Sequence, residues 1–176
     1  MSPFILRQEN LKLQARIAEL ERLVVRDTLT PLYNRRYFMD VLDRWCWRAH
    51  RYGGEYGLLY VDVDNLKMVN DSHGHAAGDA LLISIANALL AGVRRSDVVA
   101  RIGGDEFAIL LDNIAPAELD GKVERLSGMV RRMVVDYKDK QLTTSVSIGA
   151  TPLESGVPPA ELLSRADRAM YDAKEG

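Results

Sequence analysis

The first hydrophobic pattern of the chain is a heptad repeat over residues 4–26. Leucines occupy its d positions and mostly β-branched residues its a positions: Leu6, Leu13 and Leu20 at d, with Asn10, Ile17 and Val24 at a. This pattern favours a parallel two-stranded coiled coil, in which the single asparagine fixes the register. We therefore predict that residues 1–26 form a signalling and dimerisation helix whose partner is a second copy of the chain. The alternative is an amphipathic helix packed on its own domain.

In residues 27–176, segments with the hydrophobic period of a helix alternate with segments that have the period of a strand. These residues are predicted to form a second domain. A turn at Pro31 leads to Asn34 as the N-cap of a helix that runs to about His50. Further helices are predicted over 78–93, 116–137 and 158–174, and strands over 57–64, 97–102, 106–112 and 142–151. The core order is βαββαβ, which predicts an α+β fold with one antiparallel sheet and helices on one face.

The composition is that of a globular protein, with 47% apolar and 27% charged residues among 176. The net charge of −2 gives no global attraction to nucleic acid or anionic lipid. Cys46 is the single cysteine, so no internal disulfide can form, which fits a reducing compartment. No apolar run approaches the roughly 20 residues of a membrane span. We expect a cytoplasmic protein, or a cytosolic fragment of a larger one, without membrane or nucleic-acid contacts.

Acidic residues stand at two points where the predicted sheet brings strands together. Asp62 and Asp64 end the first strand and project to the same face, while Asp105 and Glu106 occupy the hairpin turn "GGDE". Clustered carboxylates raise one another's pKa unless a cation lies between them. Oxygen ligands without cysteine or paired histidine suit Mg²⁺, which also binds substrate phosphates. The pattern predicts a metal site for phosphoryl chemistry; solvent-exposed acids and an ordinary turn are the alternatives.

The stretch "NLKMVNDSHGHAAGD" after the first strand is rich in polar groups. Lys67 follows the proposed metal site, and Asn70, His75 and Asp79 approach a helix start. A carboxylate can accept from both N1–H and the exocyclic amine of guanine, and an asparagine amide can satisfy another edge of the base. Such a site would select guanine over adenine. The alternatives are that Asp79 only caps a helix and that His75 only orders the loop.

Four separated motifs resemble those of the GGDEF domain of diguanylate cyclases. They are "DTLTPLYNRR", "VDVDNLKMVNDSHGHAAGD", "RIGGDEF" and "RADRAMYDAK". The resemblance covers residues 26–176 and implies a palm-like fold of the nucleotidyl-cyclase type. It also implies the condensation of two GTP into cyclic di-GMP with release of two pyrophosphates. Because one domain holds one GTP, the reaction requires a homodimer whose two sites face each other.

The resemblance implies a metal-binding and catalytic set at the two acidic points. Mg²⁺, with Mn²⁺ as a substitute, would be bound by Asp62, Asp105 and the main-chain oxygen of Val63. Asp105 would be the base for the 3′-hydroxyl, and Glu106 is a further candidate for metal or base. Lys67 would stabilise the charge that develops on phosphate.

The resemblance also implies a GTP-binding set, which consists of Asn70, His75, Asp79 and Lys174. Asn70 and Asp79 would bind guanine, and Lys174 would bind the triphosphate. The family usually continues beyond this lysine with a Gly-Arg pair and a short strand, so a phosphate-binding arginine is missing from the sequence at hand.

A third set is implied for the product. "RRSD" matches the RxxD product-inhibition motif of the family through Arg94 and Asp97, and Arg125 stands where the family often has another arginine. The alternative is a polar loop between a helix and a strand. Outside these three sets, Asp27 and the Arg35–Arg36 pair resemble a structural latch.

Two other functions are weighed against an active cyclase. A catalytically silent GGDEF domain would act as a receptor for nucleotide or cyclic di-GMP, but such members typically lose the signature acids that this chain retains. An RNA-binding domain would carry stacking aromatics on its central strands, where only Tyr60 and Phe107 stand.

Overall fold

The computed structural model describes residues 3–175, with the side chains of residues 3–4, 15, 18–19 and 21–23 excepted. The helices are α1 (Pro3–Val25), α2 (Arg35–Tyr52), α3 (Leu66–His73), α4 (His75–Ala91), α5 (Leu119–Arg131) and α6 (Pro159–Glu175). The strands are β1 (Tyr33–Asn34), β2 (Tyr56–Val63), β3 (Val98–Arg101), β4 (Glu106–Asp112), β5 (Val135–Tyr137), β6 (Lys140–Leu142) and β7 (Val146–Pro152). No described helix is both long enough and apolar enough to cross a membrane.

The main sheet has the strand order β1-β3-β4-β2-β7 and is mostly antiparallel, as predicted. Strand β2 lies inside it and pairs antiparallel with β4 and with β7, whereas β1 pairs parallel with β3 over two residues. In the β2–β4 register Asp62 stands directly opposite Glu106. The end of β2 therefore meets the turn that begins β4, which is the juxtaposition that the acidic pattern requires.

Helices cover both faces of the sheet, so the prediction of helices on one face is wrong. Leu59 and Val61 of β2 belong to a core cluster that includes α4 and α5. Leu58 belongs to a second cluster, which includes α2 and α6. The reason is that β2 and β4 carry apolar side chains at consecutive positions rather than at alternate ones, so each face has apolar area to bury.

The segments around α3 and after α5 also depart from the sequence prediction. Residues 66–73 form a separate short helix, and α4 then begins at His75 rather than at residue 78, because Gly74 breaks the path with a φ of +87°. The helix predicted over 116–137 ends at Arg131. The residues beyond it form the β5–β6 hairpin, whose Val135 and Leu142 are buried. This burial stabilises a strand at residues that the sequence pattern assigns to the end of the helix.

The start of α2 is fixed as predicted, and it also holds the end of α1. The Asn34 side chain accepts a hydrogen bond from the Tyr37 amide at 2.9 Å, as an N-cap does. Its Nδ2 donates to the carbonyl oxygen of Val24 at 2.8 Å. One side chain thus connects the last turn of α1 with the first turn of α2.

The heptad seam of α1 does not pack on the rest of the chain. Its residues expose about half of their area or more: Leu6 50%, Leu13 64%, Ile17 54%, Leu20 46% and Val24 54%. The alternative of an amphipathic helix buried against its own domain is therefore not what the structure shows. The coiled coil with a second copy stays a prediction.

Helix α6 approaches β7 so closely that Gly149 has no room for a side chain. A Cβ at this position would collide with the main chain of Ala166 and Met170. We expect Gly149→Ala to lower the free energy of unfolding by about 1–3 kcal/mol, the usual cost of overpacking, measured by urea denaturation. The control is Gly121→Ala in α5, where a Cβ meets open space, and it should raise the free energy of unfolding by up to about 1 kcal/mol. Equal stability of the two variants would contradict the close approach.

Candidate functional site

The last turn of α6 brings a lysine to the acidic end of β2. Lys174 Nζ donates to Asp62 Oδ1 at 2.8 Å, although the two residues are 112 positions apart. Burial raises the pKa of Asp62, and the charges of Asp105 and Asp64 raise it further, while Lys174 opposes both effects. Asp62 is therefore a partly buried carboxylate with other acids nearby, and the positive charge of Lys174 partly neutralises it.

The turn that carries Asp105 and Glu106 is fixed by main-chain hydrogen bonds. The Val63 amide donates to the Asp105 carbonyl oxygen at 2.9 Å, which joins the end of β2 to the turn. The Ile102 and Gly103 amides both donate to the Glu106 carbonyl oxygen. The two acidic side chains therefore start from a rigid backbone next to Asp62.

Glu106 is held by contacts that the sequence reasoning missed. Tyr60 Oη donates to Glu106 Oε1 at 3.0 Å. The second carboxylate oxygen lies over Gly103, where a Cβ would collide with it. Burial raises the pKa of Tyr60 well above its usual value, and the hydrogen bond to Glu106 adds to this effect, so the phenol stays a donor. From the sequence alone, Tyr60 is indicated only as an aromatic that could stack on a base.

The Asp64 side chain is bound by two serines. Its carboxylate accepts from Ser145 Oγ at 2.5 Å and from Ser147 Oγ at 2.8 Å, and its carbonyl oxygen accepts from Thr144. The second acid of "VDVD" therefore fastens the end of β2 to β7. Asp62, by contrast, accepts its side-chain hydrogen bond from Lys174 of α6.

The oxygen donors at this point fit a Mg²⁺ ion that takes some of its ligands from the protein and the others from phosphates and water. Asp62, Asp105 and the main-chain oxygen of Val63 are the oxygen donors that the β2–β4 junction brings together. Within residues 3–175, no three or more carboxylate, histidine or cysteine side chains gather into a complete protein cage. Mg²⁺ does not need such a cage, because it is commonly bound by one or two carboxylates and completed by phosphates and water.

The α3–α4 pair contains a buried acceptor without a partner. Asn70 Oδ1 is buried and accepts no hydrogen bond from any residue that the structure describes. It lies against Gly78, where a Cβ would collide with it, so this glycine makes room for the amide. An unsatisfied buried acceptor costs about 1–3 kcal/mol, so this oxygen can accept a hydrogen bond from a water molecule or from a ligand.

Three further predicted site residues on α3 and α4, Lys67, His75 and Asp79, are exposed. Asp79 follows Gly78 directly, and it does not cap α4, because that helix begins at His75 with Gly74 as its N-cap residue. His75 and Lys67 are exposed at the starts of α4 and α3. Their side chains are therefore accessible from solvent.

Arg94, Asp97 and Arg125 line one cavity of about 320 Å³ between the α4–β3 loop and α5. Asp97 shapes the loop, because its carboxylate accepts from the Arg94 amide at 2.7 Å and from the Asp112 amide at 2.9 Å. Lys122 also lines this cavity and donates to the Gly92 carbonyl oxygen at 2.9 Å. Sequence reasoning missed Lys122, although its position three residues before Arg125 places it on the same side of α5.

The latch around Asp27 uses a different cation from the predicted one. Asp27 accepts from the amide and the hydroxyl of Thr30 and forms an ion pair with Arg101 at 3.4 Å. Burial raises the pKa of Asp27, but the bonds from Thr30 and the charge of Arg101 outweigh it and leave the pKa below its usual value. Arg35 instead donates to the Ile102 carbonyl oxygen at 3.2 Å. Arg101 also donates to the Gly104 carbonyl oxygen, at 2.7 Å from Nη2.

Comparison with known proteins finds a family model and several relatives that match most of the chain. The family model described as "Diguanylate cyclase, GGDEF domain" matches residues 24–176. MucR of Pseudomonas aeruginosa, a bifunctional diguanylate cyclase/cyclic di-GMP phosphodiesterase, is 37% identical over 161 residues, which are 89% of this chain and 23% of that protein. The diguanylate cyclase TpbB of the same species is 38% identical over 165 residues, which are 93% of this chain and 38% of that protein. The chain thus spans about two fifths or less of these relatives.

A solved structure resembles the chain over almost its entire length. The coiled coil and GGDEF domain of DgcB from Caulobacter crescentus, crystallised with cyclic di-GMP, has a TM-score of 0.90 and 28% sequence identity. The match covers 97% of this chain and 91% of that one.

Proposed function

Because the chain belongs to the GGDEF-domain family of diguanylate cyclases, we propose that it is itself an active cyclase, which condenses two GTP into cyclic di-GMP and two pyrophosphates. The observation that carries the proposal is the β2–β4 junction, where Asp62, Asp105 and Glu106 meet beside Lys174. A silent receptor would have no need for this acidic junction. We further propose that the domain acts as a homodimer in the cytoplasm, where GTP is available.

Guanine recognition would centre on Asn70. Its unpaired, buried Oδ1 can accept a hydrogen bond from the exocyclic amine of guanine, which adenine lacks. The Asp79 carboxylate can accept from N1–H, and His75 is a further contact. Lys67 and Lys174 would bind the triphosphate, and Lys174 would then exchange Asp62 for phosphate oxygens.

The reaction would be two identical displacements. The 3′-oxygen of one GTP attacks the α-phosphorus of the other, a new P–O bond forms, and the bond to the β-phosphate breaks with release of pyrophosphate. The hydroxyl proton would pass to the Asp105 carboxylate, with Glu106 as the alternative acceptor. When bound by Asp62, Asp105 and the oxygen of Val63, Mg²⁺ supplies charge neutralisation at the phosphates. The second displacement closes the ring.

The test is incubation of the full chain with GTP and Mg²⁺, with products separated by liquid chromatography and identified by mass spectrometry. We expect cyclic di-GMP and pyrophosphate from GTP, and no cyclic dinucleotide from ATP. Tight binding of cyclic di-GMP without turnover of GTP would instead identify a receptor and contradict the proposed cyclase.

Product inhibition is proposed for the cavity that Arg94, Asp97 and Arg125 line. A guanidinium can bind phosphate through two parallel hydrogen bonds. Arg94→Ala should therefore weaken cyclic di-GMP binding by about 1.5–3 kcal/mol, or about 10- to 150-fold in Kd by calorimetry. Initial rates with GTP should barely change, while late inhibition should fade.

The matched control for this prediction is Arg95→Ala. Arg95 is the adjacent exposed arginine and lies outside the cavity lining. Its removal changes the net charge equally but should leave the affinity for the product within about twofold. Undiminished product binding by Arg94→Ala would place the inhibitory site elsewhere, and the GTP site is the next candidate.

A further inference from the structure

We propose that Tyr60 is a positioning residue of the catalytic site, whose phenol fixes the direction of the Glu106 carboxylate. This inference rests on the proposed cyclase function and adds to it a residue outside the predicted catalytic, metal-binding and substrate-binding sets. Tyr60 stands on β2 two residues before Asp62, so the two side chains project to the same face of the sheet.

The register of the sheet explains how the phenol reaches Glu106. Tyr60 is paired directly with Ala108, and Asp62 with Glu106, so Glu106 is the diagonal neighbour of Tyr60 across the two strands. Long aromatic side chains can bridge such a diagonal. Ala108 is small and fully buried, and it leaves space for the ring to lie across β4. The resulting Oη–Oε1 distance is 3.0 Å.

The opposite side of the carboxylate is bounded by main chain. Glu106 Oε2 occupies the space where a Cβ of residue 103 would be, so only glycine admits this rotamer. Glu106 is therefore confined between the Tyr60 hydroxyl and the Gly103 main chain. A free glutamate in this turn would sample other rotamers, including ones directed at Asp105 or Asp62.

Tyr60 faces the side of the sheet that α2 and α6 cover. It lines a cavity of about 190 Å³ between α2 and α6 together with Arg35 and Asp167. Arg35 donates to the Ile102 carbonyl oxygen, which belongs to the same turn as Gly103. Tyr60 and Arg35 thus support the turn from the α2–α6 side, one at a side chain and the other at the main chain.

A positioning role makes a specific kinetic prediction. Orientation of a catalytic group affects the chemical step more than substrate affinity. Tyr60→Phe keeps the ring and removes only the donor, so kcat should fall about tenfold, as for loss of a hydrogen bond to a charged group, with KM for GTP within about twofold. The control is Tyr56→Phe, on the same strand and the same face but at the end remote from the turn, and it should leave kcat and KM unchanged.

A stability comparison tests the contact separately from the rate. The urea midpoint should fall for Tyr60→Phe in the unmodified chain but not in a Glu106→Ala background, because the partner is then absent. Equal falls in both backgrounds would overturn the contact. Unchanged kcat, or a rise in KM alone, in Tyr60→Phe of an active chain would overturn the positioning role. Absence of turnover by the unmodified chain would overturn the proposed cyclase, and with it any catalytic role for Tyr60.

Discussion

Replacing Asp105 with asparagine is expected to lower the rate of cyclic di-GMP formation by about a hundredfold or more, the scale of losing a central electrostatic group. Asparagine has nearly the same volume, but it is a weaker metal ligand and cannot accept the hydroxyl proton as a carboxylate can. Both proposed roles of the side chain are therefore removed by one change of charge.

The fold should survive this substitution. The contact that joins the turn to β2 runs from the Val63 amide to the main-chain oxygen of residue 105, and asparagine retains that oxygen. Asp105 is also one of the charges that raise the pKa of Asp62, so its neutralisation relieves repulsion. The urea midpoint of Asp105→Asn should consequently be unchanged or slightly higher.

The rate should be measured beside Mn²⁺ binding, because affinity for the ion reports on ligation without turnover. Asp139→Asn is the control, since this exposed aspartate lies in the β5–β6 turn and has no proposed role. It should match the unmodified chain in rate and in Mn²⁺ affinity. A near-normal rate in Asp105→Asn would remove Asp105 from both the metal set and the catalytic set.

Charged residues at the seam of α1 are expected to have the second large effect. Leu13→Glu together with Leu20→Glu places like charges at facing d positions of the proposed coiled coil and should dissociate the dimer. Because the exposed fractions of these side chains are 64% and 46%, the globular domain should stay folded and still bind GTP. Product formation per mole of protein should collapse at low concentration and recover partly as the concentration rises, since each cyclisation needs two domains.

The matched control is Ile5→Glu together with Leu11→Glu. These two residues are also exposed and apolar, at 47% and 58%, but they fall outside the a and d positions of α1. The double variant adds the same charge to the same helix and should keep the dimer, as measured by analytical ultracentrifugation. A monomeric Leu13/Leu20 variant with a full, concentration-independent rate would contradict both the coiled coil and the two-site mechanism.

The sequence predicted those parts of the fold that local patterns determine. Strand β4 begins and ends at the predicted residues. The glycine turn marks its start, and its apolar run continues up to Asp112. The end of α5 could not be predicted in this way. Gly121 and Gly128 do not stop that helix, whereas burial of Val135 in the core, a tertiary effect, turns the following residues into a strand.

In the candidate site, too, some features follow from local sequence patterns and others depend on tertiary packing. The meeting of Asp62 with the Asp105–Glu106 turn follows from strand topology and was predicted. The contacts of Lys174 with Asp62, of Tyr60 with Glu106 and of Arg101 with Asp27 were not predicted, and they join residues 112, 46 and 74 positions apart. Such pairs depend on how side chains from separate elements are packed, and no local period or motif spacing encodes that packing.

Arg101 connects the segment that follows α1 with the turn that carries Asp105 and Glu106. One guanidinium binds Asp27, two residues beyond the end of α1, and the Gly104 carbonyl oxygen in the turn. A guanidinium is a flat, stiff fork, so its two attachment points cannot move independently by more than the bonds allow. Arg101 therefore links the segment that follows α1 to the turn at Gly104. If two copies pair through α1 as proposed, a change in the crossing angle of the paired helices would reach the turn of Asp105 and Glu106 through this link.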